Sequence, residues 1–175
     1  MSRLTKYGYP LWLTWLIATV FSGCAPVISE EIRRQVSPEL SFQDLLRDPD
    51  RYRGQTVLFS GVILEAINTK DGTLITVLQR PADLSGRPKN SDATGGRFLA
   101  LDPRYLDVAV YAPDREITVA GTVEGKRIRS LGEIDYAYPL IRVRELHLWR
   151  ERPPAAFGFG ITYHYFLGPP YYWRH

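Results

Sequence analysis

The sequence predicts an all-β domain, and three observations carry that expectation. Runs of alternating apolar and polar residues, rich in Val, Ile and Thr, recur between Gln55 and Trp149 with turn residues between them. Two of these runs hold a central glycine, Gly61 and Gly121, where a small curled sheet needs a bulge or coil. There is one cysteine, so no internal disulfide can form and the fold must hold by burial. Five to six strands with one or two short helices suit a small OB-like, partly open Greek-key barrel. A β-sandwich is the alternative.

The chain begins with an address rather than a fold. Arg3 and Lys6 precede the apolar run Leu11 to Phe21, and the small pair Ser22-Gly23 leads to Cys24. A positive start, a short apolar core and a small-residue exit make a secretory signal over residues 1–23. The junction resembles the lipobox of bacterial lipoproteins, with Phe21 where leucine is usual. Cleavage between Gly23 and Cys24 would leave Cys24 first, carrying a thioether-linked diacylglycerol and an N-acyl chain. Three chains at about 0.8 kcal/mol per buried methylene would be effectively permanent. A buried cysteine, a transmembrane helix and cleavage after Ala25 are the competing readings. Gly8, Pro10, Ser22, Gly23 and Pro26 leave too short a core for the helix, since spanning takes about 18 apolar residues or more. Pro26 would be a poor first residue after cleavage at Ala25. Ala25 in place of aspartate favours the outer over the inner membrane.

Without the leader, 20 basic residues face 19 acidic ones. That balance argues against a nucleic-acid partner. Residues 24–40, with Pro26, Pro38 and the charged run Glu30 to Arg34, read as a tether lifting the domain off the membrane. The domain proper is expected over 41–152. Ser41 caps a short helix through Arg47 with Phe42, Leu45 and Leu46 as its apolar stripe, and Pro49 ends it. Gln55 to Asn68 is the first strand. Lys70-Asp71-Gly72 turns the chain into a second, Thr73 to Arg80. Residues 81–96 read as a long exposed loop, Arg97 to Leu101 as a third strand, and Tyr105 to Tyr111 as a helical turn. Glu116 to Glu124 is the fourth strand. A turn at Glu124-Gly125-Lys126 leads to a final arm, Arg127 to Trp149, broken at Tyr138-Pro139. The tail, 153–175, packs eight aromatics, four prolines and three glycines into 23 residues and reads as disordered.

Little in the sequence points to chemistry. His147, His164 and His175 lack metal-ligand spacing. Glu133 and Asp135 share one side of a strand as paired carboxylates might, yet alternating charge on a solvated face produces the same pattern. No catalytic residue, metal or cofactor is expected beyond the lipid on Cys24. A ligand face is the remaining candidate: Arg127, Arg129, Arg142 and Arg144 lie near Tyr136 and Tyr138, vocabulary suited to phosphate or carboxylate groups of envelope lipids or sugars.

Finally, several elements recur in one order: Pro49, Tyr52 and Gly54; Gly61 and Asn68; Pro81 with Gly86-Arg87-Pro88; Gly96-Arg97-Phe98; Leu106-Asp107 and Tyr111; Arg115 to Val119 with Gly121; Gly132-Glu133; Tyr138-Pro139; and Trp149. In this the chain resembles the Slp family of outer-membrane lipoproteins from Cys24 to about Trp149, with Val108 where that family often has proline. The resemblance implies a lipid-anchored protein on the periplasmic face of the outer membrane, with a structural or interaction role linked to starvation and acid stress. Its implied partners are the membrane and other envelope proteins or lipids. It implies no catalytic residues and no ligand.

Overall fold

The structure, a computed structural model, describes residues 26–152. The Gly23-Cys24 junction and the aromatic tail lie outside the described residues. Five strands follow one another: β1 (Thr56–Thr69), β2 (Gly72–Arg80), β3 (Gly96–Asp102), β4 (Glu116–Leu131) and β5 (Ile134–Leu148). They form one sheet in the order β1-β2-β3-β5-β4, which closes where β4 pairs with β1. All pairings are antiparallel except β3 with β5. This is the Greek-key ring of an OB-like barrel rather than a sandwich. Its parallel seam is thin, resting on Leu99↔Leu140, Ala100↔Ile141 and Leu101↔Arg142.

Alternation explains the ring. Val57 and Ile63 of β1, Ile75 and Val77 of β2, Phe98 of β3, Ile117 and Val119 of β4, and Ile141 and Val143 of β5 point inward and are buried together. Helix α2 (Phe42–Arg47; α1 is described below) plugs one mouth. Ser41 caps it by accepting from the Asp44 N–H, and Phe42 meets Phe59 edge-on at 5.1 Å and Phe98 at 5.9 Å. A 3-10 turn over Pro49–Tyr52 then delivers the chain to β1.

Gly61 answers a close approach rather than a bulge. A Cβ there would run into the Leu78 carbonyl oxygen, and the bulge falls between Ile63 and Glu65.

Five expectations are corrected. Residues 24–40 are not a free tether over their described part. Ser29 caps helix α1 (Glu30–Gln35), and Ile28 and Ile32 are buried against Ala120, with Val27 and Leu58 alongside. The Ser37 N–H also donates to the Thr56 carbonyl at 3.0 Å. Ile28 is only 2% exposed, so the folded unit begins about there.

Glu124-Gly125-Lys126 is not a turn. The β4–β5 register shifts between Val123 and Gly125, and Gly125 sits at φ 106°, so β4 bulges and runs on to Leu131. The reversal comes at Gly132, φ 63°. Tyr138-Pro139 does not break β5. Pairing with β3 starts only at Leu140, so Pro139 lies where a neighbour is present on one side alone.

The stretch 105–111 makes one hydrogen-bonded turn, with the Tyr111 N–H donating to the Asp107 carbonyl, but no helix. The loop 81–96 is only partly exposed: Pro88 is buried and Ala82 bridges to Pro88.

Candidate functional site

Past Gly125 the β4–β5 ribbon leaves the ring and bends across the outward faces of β3, β2 and β1. Arg127 pairs with Tyr138 and Arg129 with Tyr136, so these four share one side of the ribbon. That side faces the barrel. Tyr138 is 4% exposed, packed on Leu74, Leu99, Leu101 and Leu140. The Tyr136 hydroxyl accepts the Arg97 N–H at 3.3 Å. Arg129 donates to Thr76 Oγ1 at 3.4 Å and lies 3.5 Å from Glu65. In OB barrels the outward face of strands 2 and 3 commonly takes ligands; here the chain's own ribbon occupies it.

The other two candidates are elsewhere. Arg142 is exposed and paired with Glu124, and Arg144 donates to Gln35 of α1 at 2.6 Å. The six therefore do not form one open face, because the bend of the ribbon, invisible in the sequence pattern, turns four of them inward.

The opposite wall of the ring, where β1 meets β4, carries a second arrangement. The loop after β2 is drawn down onto it. The Gly86 carbonyl accepts from the hydroxyls of Ser60 and Thr118, each at 2.7 Å, and Trp149 Nε1 donates to Thr118 Oγ1 at 2.9 Å. Arg87 reaches Glu116 and donates to the Arg150 carbonyl at 2.8 Å, while Arg152 bonds Glu116 at 3.0 Å and the Pro88 carbonyl. The Arg87 guanidinium also lies 5.4 Å from the Trp149 ring.

The tip is stiff. Asp83 Oδ1 accepts from the Ser85 hydroxyl and from the Ser85 and Arg87 N–H groups. The Ser85 hydroxyl, with those amides, holds the Asp83 carboxyl below the usual carboxylate range. Between Asp83 and Ser85 stands Leu84, fully exposed.

Under this loop lies a groove of about 530 Å³, lined by Pro26, Val27, Leu58, Leu84, Gly86 and Trp149 among others. Five chain segments far apart in sequence build it, so periodicity could not announce it. Only the proline bracket Pro81…Pro88 hints that the loop is fixed.

The remaining titratable residues have ordinary placements. His147 packs edge-on against Trp149 at 4.5 Å. Glu133 and Asp135 are exposed at the ribbon's turn, not in a cleft. Among the described residues no group of three His, Cys, Asp or Glu could hold a metal ion. A polar hollow of about 370 Å³ holds Arg115, whose guanidinium donates at 3.0 Å each to the Val110 and Trp149 carbonyls, staples between loop and strand end.

A family profile described as the outer membrane lipoprotein Slp family matches residues 21–175. The outer membrane protein Slp of Escherichia coli (strain K12) is 26% identical over 152 residues, covering 86% of this chain and 78% of that protein. Among solved structures, a small single-stranded DNA-binding protein from Streptomyces coelicolor is similar at a TM-score of 0.34 and 11% identity, over 54% of this chain and 94% of its own. At that score the likeness carries nothing for this chain.

Proposed function

The chain belongs to the Slp family of outer membrane lipoproteins, and from that membership we propose that a diacylglycerol thioether and an N-acyl chain on Cys24 fix it to the outer membrane, with its domain in the periplasm. Its role there is structural or interactive, in an envelope under starvation or acid stress. The observation that carries the reading is the lone cysteine closing the run Leu11 to Phe21, four residues before Ile28, the first fully buried side chain among the described residues. Covalent geometry lets those four residues span at most about 14 Å. Any lipid on Cys24 is therefore coupled closely to the fold.

Two further facts support an interaction role over binding a ligand on the strand 2–3 face or a nucleic acid. The strand 2–3 face is filled by Tyr138 and Arg129. The near-neutral mature chain lacks the basic field that a nucleic acid would require.

Acyl labelling of wild type beside Cys24→Ala, with membrane fractionation, tests the reading. Wild type should take up labelled palmitate and pellet with outer membranes, while Cys24→Ala should do neither. A variant that still labels and pellets would refute it.

A further inference from the structure

A lone exposed leucine means nothing by itself, since soluble proteins show many. Leu84 is different in its neighbours and in its distance from the anchor. It stands at the tip of a loop pinned by Gly86, Arg87 and Arg152 to the β1–β4 wall. It also lines the same apolar groove as Pro26 and Val27. Pro26 is two residues from Cys24, so covalent geometry keeps that edge of the groove within about 7 Å of the modified sulfur-bearing residue. A lipid on Cys24 starts at the boundary between headgroups and acyl chains. The wall carrying the groove then has no room to stand away from the bilayer.

We propose that this wall is the membrane-facing surface of the domain, lying on the phospholipid layer that holds the Cys24 lipid, with Leu84 and Val27 entering the headgroup region. The proposal rests on the lipid reading of Cys24. Its chemistry fits a lipid surface. Leu84 and Val27 supply apolar contact, and the half-buried Trp149 ring, its N–H donated to Thr118, lines the groove beside them. Arg33, exposed at the groove's rim, offers a charge to lipid phosphate. Interfacial contacts of this kind reach about 5–10 Å into the headgroup boundary. The β4–β5 ribbon, on the opposite wall, then points into the aqueous space.

The full-length lipoprotein lets this be read cleanly, because lipidation blocks its only thiol. Leu84→Cys and, on the ribbon, Ser130→Cys each add one free cysteine for an environment-sensitive fluorophore. The labelled proteins are reconstituted into phosphatidylethanolamine–phosphatidylglycerol vesicles containing brominated lipid. The Leu84 probe should be blue-shifted and quenched several-fold more than the Ser130 probe. One label per chain, pelleting with vesicles and equal quenching at both sites would overturn the proposed face while leaving the anchor standing. Two labels per chain and no pelleting would overturn the anchor, and the face with it.

Discussion

The edge of Tyr136 meets Tyr138 with ring centroids 4.6 Å apart and planes at 62°. Both rings hold the ribbon on the barrel wall: Tyr138 packs on Leu74 and Leu99, and Tyr136 reaches the β3 backbone. Tyr138→Ala should therefore cost about 3–5 kcal/mol, as large aromatic deletions in cores do. Tyr136→Phe, which removes only the acceptor for the Arg97 N–H, should cost about 1 kcal/mol. Denaturant unfolding of the soluble domain measures both. Near-equal effects would mean that Tyr138 does not pin the ribbon.

Glycine substitutions should separate close approach from backbone freedom. Gly61→Ala drives a Cβ into the Leu78 carbonyl within the β1–β2 ladder and should cost about 3 kcal/mol. Gly132 has open space around it and a positive φ of 63°, so Gly132→Ala should cost only about 1 kcal/mol. Thermal unfolding should rank them in that order.

How far these features could be read from the chain follows a physical line. The first three strands and the Ser41 cap were legible because alternation and capping are local. Gly125 misled because a glycine between two charged residues looks the same in a bulge as in a turn; only the partner strand distinguishes them. Gly132-Glu133, the real reversal, was hidden because the side that turns inward carries Arg127 and Arg129 while Ile128 on the other side is 61% exposed, the reverse of the usual apolar-in alternation. Tyr138 looked like a ligand contact because a ring beside arginines carries no mark of which wall it will face. The groove was illegible for a similar reason. Val27, Leu84 and Trp149 meet only after the ring has closed.

Glu116 holds two guanidiniums at a half-buried site, Arg87 and Arg152. Glu116→Ala leaves both without their carboxylate and should cost about 2 kcal/mol. It should also loosen the loop carrying Leu84, so trypsin should cut after Lys89 faster than in wild type. Unchanged cleavage would show that the hydroxyls of Ser60 and Thr118 suffice to hold it.

Asp50 provides a pH-dependent clamp at the Gly125 bulge. Hydrogen bonds from Arg53 first, then Lys126, hold its carboxyl below the usual carboxylate range. A depressed pKa means the folded state favours the charged form, so the contribution is present above the unfolded value and is lost as pH falls through the folded one. Asp50→Asn should lower the melting temperature at neutral pH, and the gap from wild type should close as pH falls below the usual carboxylate range. A gap that persists in acid would assign the effect to shape rather than charge.

The last strand made is not an edge of the sheet but its inside: β5 slots between β3 and β4. For a chain delivered N-terminus first, both of those strands keep a raw flank until residues near Leu148 have arrived. The ring can neither shut early nor jam half-built in a narrow conduit, because the piece that locks it comes through at the end. Until then the unpaired flanks of β3 and β4 stay open to any strand that meets them.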